Sequence, residues 1–243
     1  MKKKKLFQRI LLSFLLLLIC AGAGIGRYLS DYYHAEAEVQ EYLQTSEEVT
    51  VQRTGKNIVF EPKEYDTGLI FYPGGKVQYE SYAPLLFKLA EEKQVLCVLV
   101  HMPGNLAVLR KNAADGIPEQ YPKVSNWYLG GHSLGGAMAA VYAAEHSSAY
   151  DGIVLLGAYP AKDLSDTDLK LLSLYGSEDQ VLNRESYEKN RGNWPAASVE
   201  YVIEGGNHAS FGAYGAQKGD GEANIDREQQ WELTVEKIGE LIG

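Results

Sequence analysis

The sequence predicts a three-layer α/β fold, in which helices cover both faces of a mostly parallel β-sheet. Apolar runs of strand length, such as residues 95–100, show no alternation of polar and apolar side chains. Such runs are typical of strands that are buried on both faces. Segments with helical periodicity or many alanines separate these runs, as expected of helices that connect parallel strands. We find no internal repeat and no linker that would divide the body of the chain.

The folded region begins with an antiparallel hairpin, because Thr54-Gly55-Lys56 separates two strand segments at residues 49–53 and 57–61. We expect this hairpin at the edge of the parallel sheet. Further strands are predicted at residues 68–72, 95–100, 126–130, 152–158, 170–175 and 198–204. Helices are predicted at residues 81–93, 106–121, 134–145, 184–190 and 227–242, although Gly116 and Pro118 interrupt the second of them.

Residues 1–26 are predicted to be a signal anchor or a signal peptide. Ser13 is the only polar side chain in residues 10–26, and four lysines precede this segment at positions 2–5. The small residues Ala21 and Ala23 favour cleavage near Ala23, whereas the apolar length favours a short membrane span. In both cases the basic flank stays in the cytoplasm and the rest of the chain crosses the membrane. We therefore expect a single-pass protein of the cell membrane with an extracytoplasmic domain, or a secreted protein.

Charge and composition exclude several classes of function. Residues 1–27 carry six basic side chains and no acidic one, whereas the rest of the chain carries 17 basic and 32 acidic residues. A body this acidic is not expected to bind nucleic acid. The scattered histidines of the chain and its two cysteines, Cys20 and Cys97, offer neither metal-ligand spacing nor a disulfide within the domain. We therefore expect no metal. No G-x-G-x-x-G motif follows a strand, so we also expect no cofactor. We expect the protein to be a monomer.

The strongest chemical signal is Gly131-His132-Ser133-Leu134-Gly135, which has the form G-x-S-x-G. A predicted strand runs directly into this motif and an Ala-rich predicted helix runs out of it. That context is the one in which the motif forms a sharp turn with an exposed serine hydroxyl. At the start of the helix, backbone N–H groups and the helix dipole stabilise negative charge. Ser133 is therefore the candidate nucleophile.

A serine nucleophile needs a base, and His208 is the candidate because it follows the last predicted strand in a glycine-rich loop. Two other histidines are excluded by their place in the chain: His34 precedes the domain, and His101 follows a strand too early. His132 lies beside the serine with a diverging side chain, and His146 ends the next helix. Asp179 follows another strand and is the candidate carboxylate that orients the base, with Glu178 as the alternative.

An oxyanion hole is expected in the loop Tyr72-Pro73-Gly74-Gly75-Lys76, which follows the first central strand. We expect the N–H of Gly75 to be one donor, with Lys76 as the alternative, and the N–H of Leu134 to be the second. This glycine pair is not a phosphate loop, because the pattern G-x-x-x-x-G-K-[ST] is absent.

Four stretches together resemble the α/β-hydrolase superfamily: YPGGKV (72–77), GGHSLGG (130–136), YGSEDQV (175–181) and GGNHASFG (205–212). The chain is most similar to the small, N-terminally anchored or exported bacterial branch related to dienelactone hydrolases. The resemblance implies the three-layer α/β-hydrolase fold over residues 49–243, after a stalk or linker helix at 27–48. It also implies a triad of Ser133, Asp179 and His208, with Gly75 and Leu134 as the oxyanion hole.

The chain departs from these relatives in two respects. It has a serine where dienelactone hydrolases usually carry a cysteine nucleophile, and only residues 159–169 separate two strands between which many relatives insert a cap domain. We therefore expect an open active site without a large cap. The sequence predicts a serine hydrolase that cleaves a small-molecule, lipid or glycan ester. An acyltransferase with the same triad and a non-catalytic binding module are the alternatives.

Overall fold

The computed structural model describes the backbone of residues 2–243 and the side chains of residues 13–24 and 26–243. The side chains of the four lysines in the predicted basic flank lie outside the described residues. The chain divides into two compact units, the first ending at Tyr32 and the second running from Tyr33 to Gly243.

The first unit is a helix, α1 (Lys2–Ser30). Its segment Ser13–Ser30 is long and apolar enough to cross a membrane. The described side chains of residues 13–24 are exposed. A helix of this length and composition near the N-terminus suits a membrane anchor and a signal sequence equally well, so both alternatives stay predictions.

In the second unit, the described residues form one eight-stranded sheet with the order β1-β2-β4-β3-β5-β6-β7-β8. The strands are β1 (Val49–Thr54), β2 (Asn57–Pro62), β3 (Thr67–Tyr72), β4 (Val95–Leu99), β5 (Asn126–His132), β6 (Gly152–Leu156), β7 (Lys170–Gly176) and β8 (Ser198–Ile203). β2 is antiparallel to β1 and β4, and the other neighbours are parallel. The antiparallel hairpin at the edge is therefore confirmed.

Two apolar cores lie on opposite faces of this sheet and complete the three layers. One face packs against α2 (Ala83–Lys93) and α5 (Arg227–Ile242), and the other packs against α3 (Leu134–Glu145). A short helix, α4 (Arg184–Lys189), follows β7. Residues 157–169 connect β6 to β7 without a described helix or strand, so the prediction of a fold without a large cap is confirmed.

The predicted helix at residues 106–121 is wrong. The chain forms separate short 3-10 turns in this region, at Pro103–Asn105, Ala107–Leu109 and Pro118–Gln120. Gly116 has a left-handed φ of 71°, and Pro118 has no N–H to donate to an earlier turn. Gly116 and Pro118 therefore separate the last turn from the preceding residues, whereas the turn Ala107–Leu109 already ends at Arg110, which has φ −152° and ψ 56°.

Residues 33–48 belong to the second unit and pack against the rest of it. Tyr33 forms a parallel β-bridge with Val77, and its N–H donates to the carbonyl of Lys76 (2.8 Å). Val39 lies in a 3-10 helix (Ala37–Leu43) and is completely buried in the core under α2 and α5. The division of the chain into a membrane segment, a stalk and a domain at residues 26 and 48 stays a prediction.

Candidate active site

Ser133 lies between the last residue of β5 and the first residue of α3, with φ 52° and ψ −124°. This left-handed φ is costly for a residue with a side chain, by roughly 1–3 kcal/mol, and persists only when the surroundings impose it. The Ser133 N–H donates to the carbonyl of Leu156 in β6 (2.9 Å), which fixes the turn to the sheet. The Ser133 hydroxyl does not cap α3, so it is available for chemistry.

Close backbone contacts explain the glycines of the G-x-S-x-G motif. A Cβ atom at Gly131 would lie 2.7 Å from the carbonyl oxygen of Tyr72, and one at Gly135 would lie 2.2 Å from that of Pro73. No real Cβ approaches a carbonyl so closely, so both positions exclude any side chain. The two glycines thereby let the turn pack directly against the end of β3.

His208 and Asp179 follow the neighbouring strands β8 and β7, and the fold brings them together. His208 Nδ1 donates to Asp179 Oδ2 at 2.8 Å, because an ionised carboxylate can only accept. Asp179 Oδ1 accepts the N–H groups of Val181 (2.9 Å) and Leu182 (2.8 Å). Both side chains are buried. The carboxylate of the alternative acid, Glu178, accepts the Ser177 hydroxyl instead (3.0 Å).

Ser133 and His208 line the same cavity of about 290 Å³, together with mainly apolar side chains: Leu134, Ala137, Ala158, Tyr159, Val181 and Leu182. His208 Nε2 is buried and has no hydrogen-bond partner among the described residues. The Ser133 hydroxyl is therefore not bonded to it in this conformation. Hydrogen bonds between nucleophile and base are often loose without substrate and tighten when it binds.

In the loop after β3, the N–H groups of Gly74, Gly75 and Lys76 differ in whether a described residue accepts from them. The Gly74 N–H donates to the Tyr82 hydroxyl (3.0 Å), and the Lys76 N–H donates to the Asn105 carbonyl (2.7 Å). The Gly75 N–H between them bonds to no described residue. A Cβ on Gly75 would lie 2.7 Å from Leu134 Cδ2, so Gly75 lies against the start of α3. The Leu134 N–H belongs to the first turn of α3, where amides lack an acceptor within the helix.

His132 contributes to the site in a way that the sequence did not indicate. Its side chain is almost completely buried, and its ring centroid lies 4.4 Å from that of His208. The Tyr82 hydroxyl lies 2.7 Å from His132 Nδ1 and also accepts the Gly74 N–H. Tyr82 and His132 therefore connect the glycine loop to the candidate base.

Burial lowers the pKa of His132 well below its usual value near 6.5, and the neighbouring His208 lowers it further. His132 is therefore neutral at pH 7, and both neutral tautomers allow a hydrogen bond between its Nδ1 and the Tyr82 hydroxyl. This matters for His208, because a second positive charge at this distance would oppose protonation of the base.

Among the described residues, no group of three His, Cys, Asp or Glu side chains is placed to hold a metal ion. A larger cavity of about 570 Å³ lies elsewhere, beside residues 64–67 and the end of α5. Neither Ser133 nor His208 lines it, so the smaller cavity is the candidate active site.

Comparisons with known proteins agree with this architecture. A family model described as the alpha/beta hydrolase family matches residues 68–232. A solved structure of a predicted CIB-like hydrolase from Thermoplasma acidophilum has a TM-score of 0.56 and 16% identity, and covers 79% of this chain and 100% of its own. Est1E from Butyrivibrio proteoclasticus has a TM-score of 0.53 and 15% identity, covering 80% and 99%. No curated protein matches the chain significantly.

The burial of neutral His132 predicts a dependence of stability on pH. In the unfolded chain this imidazole binds a proton below about pH 6.5, whereas the folded protein resists protonation there. The free energy of unfolding should therefore fall as the pH drops below this value. Because His132→Asn removes the group, the wild type should lose about 1.5 kcal/mol more than this variant between pH 6.5 and 5. Urea denaturation of the full chain in detergent measures both.

His146→Asn is the matched control, since it makes the same substitution at an exposed histidine. An equal loss of stability in wild type and His132→Asn would contradict a buried, neutral His132.

Proposed function

The chain belongs to the alpha/beta hydrolase family, and on this premise we propose that it is a serine hydrolase that cleaves carboxylic-ester or related acyl bonds. The observation that carries the proposal is the buried hydrogen bond of 2.8 Å between His208 Nδ1 and Asp179 Oδ2, beside the cavity that Ser133 also lines. A histidine oriented by a carboxylate is the arrangement that activates a serine hydroxyl.

In the proposed mechanism, Ser133 Oγ attacks the carbonyl carbon of the ester while its proton moves to His208 Nε2. Asp179 accepts from Nδ1–H and stabilises the resulting imidazolium. The tetrahedral intermediate collapses when His208 returns the proton to the departing alcohol, and Ser133 keeps the acyl group. A water molecule then attacks this acyl-enzyme in the same way, with His208 again acting first as base and then as acid.

Negative charge on the carbonyl oxygen would be stabilised by the N–H groups of Gly75 and Leu134. Lys76 was the alternative donor, but its N–H is already bonded to the Asn105 carbonyl. Two backbone donors of this kind contribute strongly, because the loss of one oxyanion donor commonly lowers kcat about 100- to 1,000-fold.

We propose a small ester as substrate, with its acyl group in the apolar cavity beside Leu134, Tyr159 and Leu182. The cavity of about 290 Å³ accommodates a short acyl chain, and the lack of a cap leaves room for a larger alcohol portion in solvent. One similar solved structure is Est1E with bound ferulic acid, at 14% identity and a TM-score of 0.56. This likeness supports an esterase activity without specifying the substrate.

We also propose that α1 directs the chain to the membrane and that the second unit lies outside the cytoplasm, because four lysines at positions 2–5 precede the apolar segment. In spheroplasts of a bacterial host, externally added protease should degrade the second unit. Intact mass would show a full-length chain if α1 is an anchor, or a chain shortened near Ala23 if it is a signal peptide. Protection of the second unit from external protease would contradict this proposal.

The activity is tested by labelling the full chain with a fluorophosphonate probe and by measuring hydrolysis of short p-nitrophenyl esters. The wild type should be labelled and active, and Ser133→Ala should lose labelling and at least about 1,000-fold in kcat. Asp179→Asn should lower kcat about 1,000- to 10,000-fold, because the amide oxygen would stay on the Val181 and Leu182 N–H groups and an amide N–H would face His208, which favours the wrong tautomer. The matched control is Glu178→Gln, which should keep kcat within about threefold of wild type.

A wild type that neither reacts with the probe nor hydrolyses these esters would contradict the proposed function. Equal losses for Glu178→Gln and Asp179→Asn would contradict the assignment of the acid. If alcohol acceptors added to the assay take up the acyl group in preference to water, the enzyme is an acyltransferase with the same nucleophile.

A further inference from the structure

A second carboxylate lies beside the candidate triad without touching its reacting atoms. Asp220 belongs to the irregular segment between the 3-10 turn Ala209–Phe211 and α5, and its side chain is half-buried. Its carboxylate accepts three backbone N–H groups, from Ala209 (2.8 Å, to Oδ2), Gln180 (3.2 Å, to Oδ1) and Gly221 (2.9 Å, to Oδ1).

Two of these three donors directly follow triad residues. Ala209 is the residue after His208, and Gln180 is the residue after Asp179. One carboxylate therefore joins the loop that carries the base to the loop that carries the acid. Hydrogen bonds to an ionised acceptor are shorter and roughly twice as strong as those between neutral groups.

The neighbouring residue Gly221 reinforces this connection. Asn207, which precedes His208, donates from Nδ2 to the Gly221 carbonyl (2.7 Å). On the other side, a Cβ atom at Gly221 would lie only 2.0 Å from the Glu178 carbonyl oxygen. Residues 220 and 221 thus pack between the two loops, and we refer to this pair as the 220–221 bridge.

Two further hydrogen bonds join the loops before the triad residues. The Glu178 N–H donates to the Gly206 carbonyl (2.9 Å), and the Gly205 N–H donates to the Ser177 hydroxyl (2.8 Å). These bonds continue the pairing of β7 with β8 at its end. The 220–221 bridge adds a connection on the far side of Asp179 and His208, so that each loop is fixed both before and after its functional residue.

We propose that Asp220 is a positioning residue, which holds Asp179 and His208 at hydrogen-bonding distance by bonding to the backbone immediately after each. This inference rests on the proposed function, since it assigns Asp220 a role in the same site. Asn at this position would have one acceptor oxygen in place of two, so it would set an amide N–H against a backbone N–H. Small displacements of catalytic groups are costly, since about 1 Å can lower the rate about 100-fold.

The test compares Asp220→Asn with Asp151→Asn in the full chain in detergent. Asp151 also accepts a distant backbone N–H, from Trp127 (2.8 Å), but at the start of β5 and away from the cavity. We expect Asp220→Asn to lower kcat about 10- to 100-fold with KM within about threefold, and Asp151→Asn to keep the wild-type kcat. A purely structural role for Asp220 would give the two variants the same kcat.

A double-mutant cycle distinguishes positioning from general destabilisation. If Asp220 acts through the Asp179–His208 pair, Asp220→Asn should change kcat by less than about threefold in an Asp179→Asn background. An equal loss in both backgrounds would overturn the proposal. Hydrogen exchange should also become faster at the amides of Ala209 and Gln180 in Asp220→Asn and remain unchanged there in Asp151→Asn.

Gly221→Ala tests the same bridge if Asp220→Asn does not fold. Its Cβ would displace the 220–221 bridge from the Glu178 carbonyl, whereas Gly192→Ala places a Cβ in open space and is the control. We expect Gly221→Ala to lower kcat with little change in KM, and a wild-type kcat would overturn the proposal. If wild-type protein lacks probe labelling and activity, the proposed function fails. The exchange measurement would then still decide whether Asp220 holds the two loops.

Discussion

The backbone conformation of Ser133 is the constraint on which the rest of the candidate site depends. A residue with a side chain is kept at φ 52° because the turn is fixed on both sides, by the bond from its N–H to Leu156 and by the contact of Gly135 with the end of β3. This contact excludes a Cβ at position 135, so the strained conformation of Ser133 can form only with glycine there. The same packing brings the start of α3 against Gly75.

Beside this turn lie the candidate acid Asp179, the candidate base His208 and the neutral side chain of His132. The candidate acid and base follow neighbouring parallel strands, so the register of β7 with β8 brings them to the same edge of the sheet. His132 packs against the base but stays neutral, because its burial opposes protonation. The positive charge that the proposed mechanism places on His208 would then be stabilised by Asp179 and not opposed by a charged His132.

Much of the fold and of the candidate site could be predicted from the sequence, because short-range patterns carry this information. The elbow around Ser133 needs glycines at set positions, and buried parallel strands are continuous apolar runs. The prediction of a helix at 106–121 is wrong because it follows the helical periodicity of this segment and gives too little weight to Gly116 and Pro118. Asp220 and the contact of His132 with His208 had no local signal, since both depend on segments that meet only in the folded chain. In an acidic sequence, Asp220 looks like any solvated loop carboxylate.

The central claim is that Ser133 attacks a carbonyl whose oxygen is bound by the N–H groups of Gly75 and Leu134. A crystal structure of the protein after reaction with a phosphonate ester tests it most directly, since the tetrahedral phosphorus resembles the intermediate. We expect phosphorus bonded to Ser133 Oγ, with one phosphoryl oxygen within about 3 Å of both backbone nitrogens. A phosphoryl oxygen directed away from Gly75 and Leu134, or an adduct on another residue, would contradict the claim.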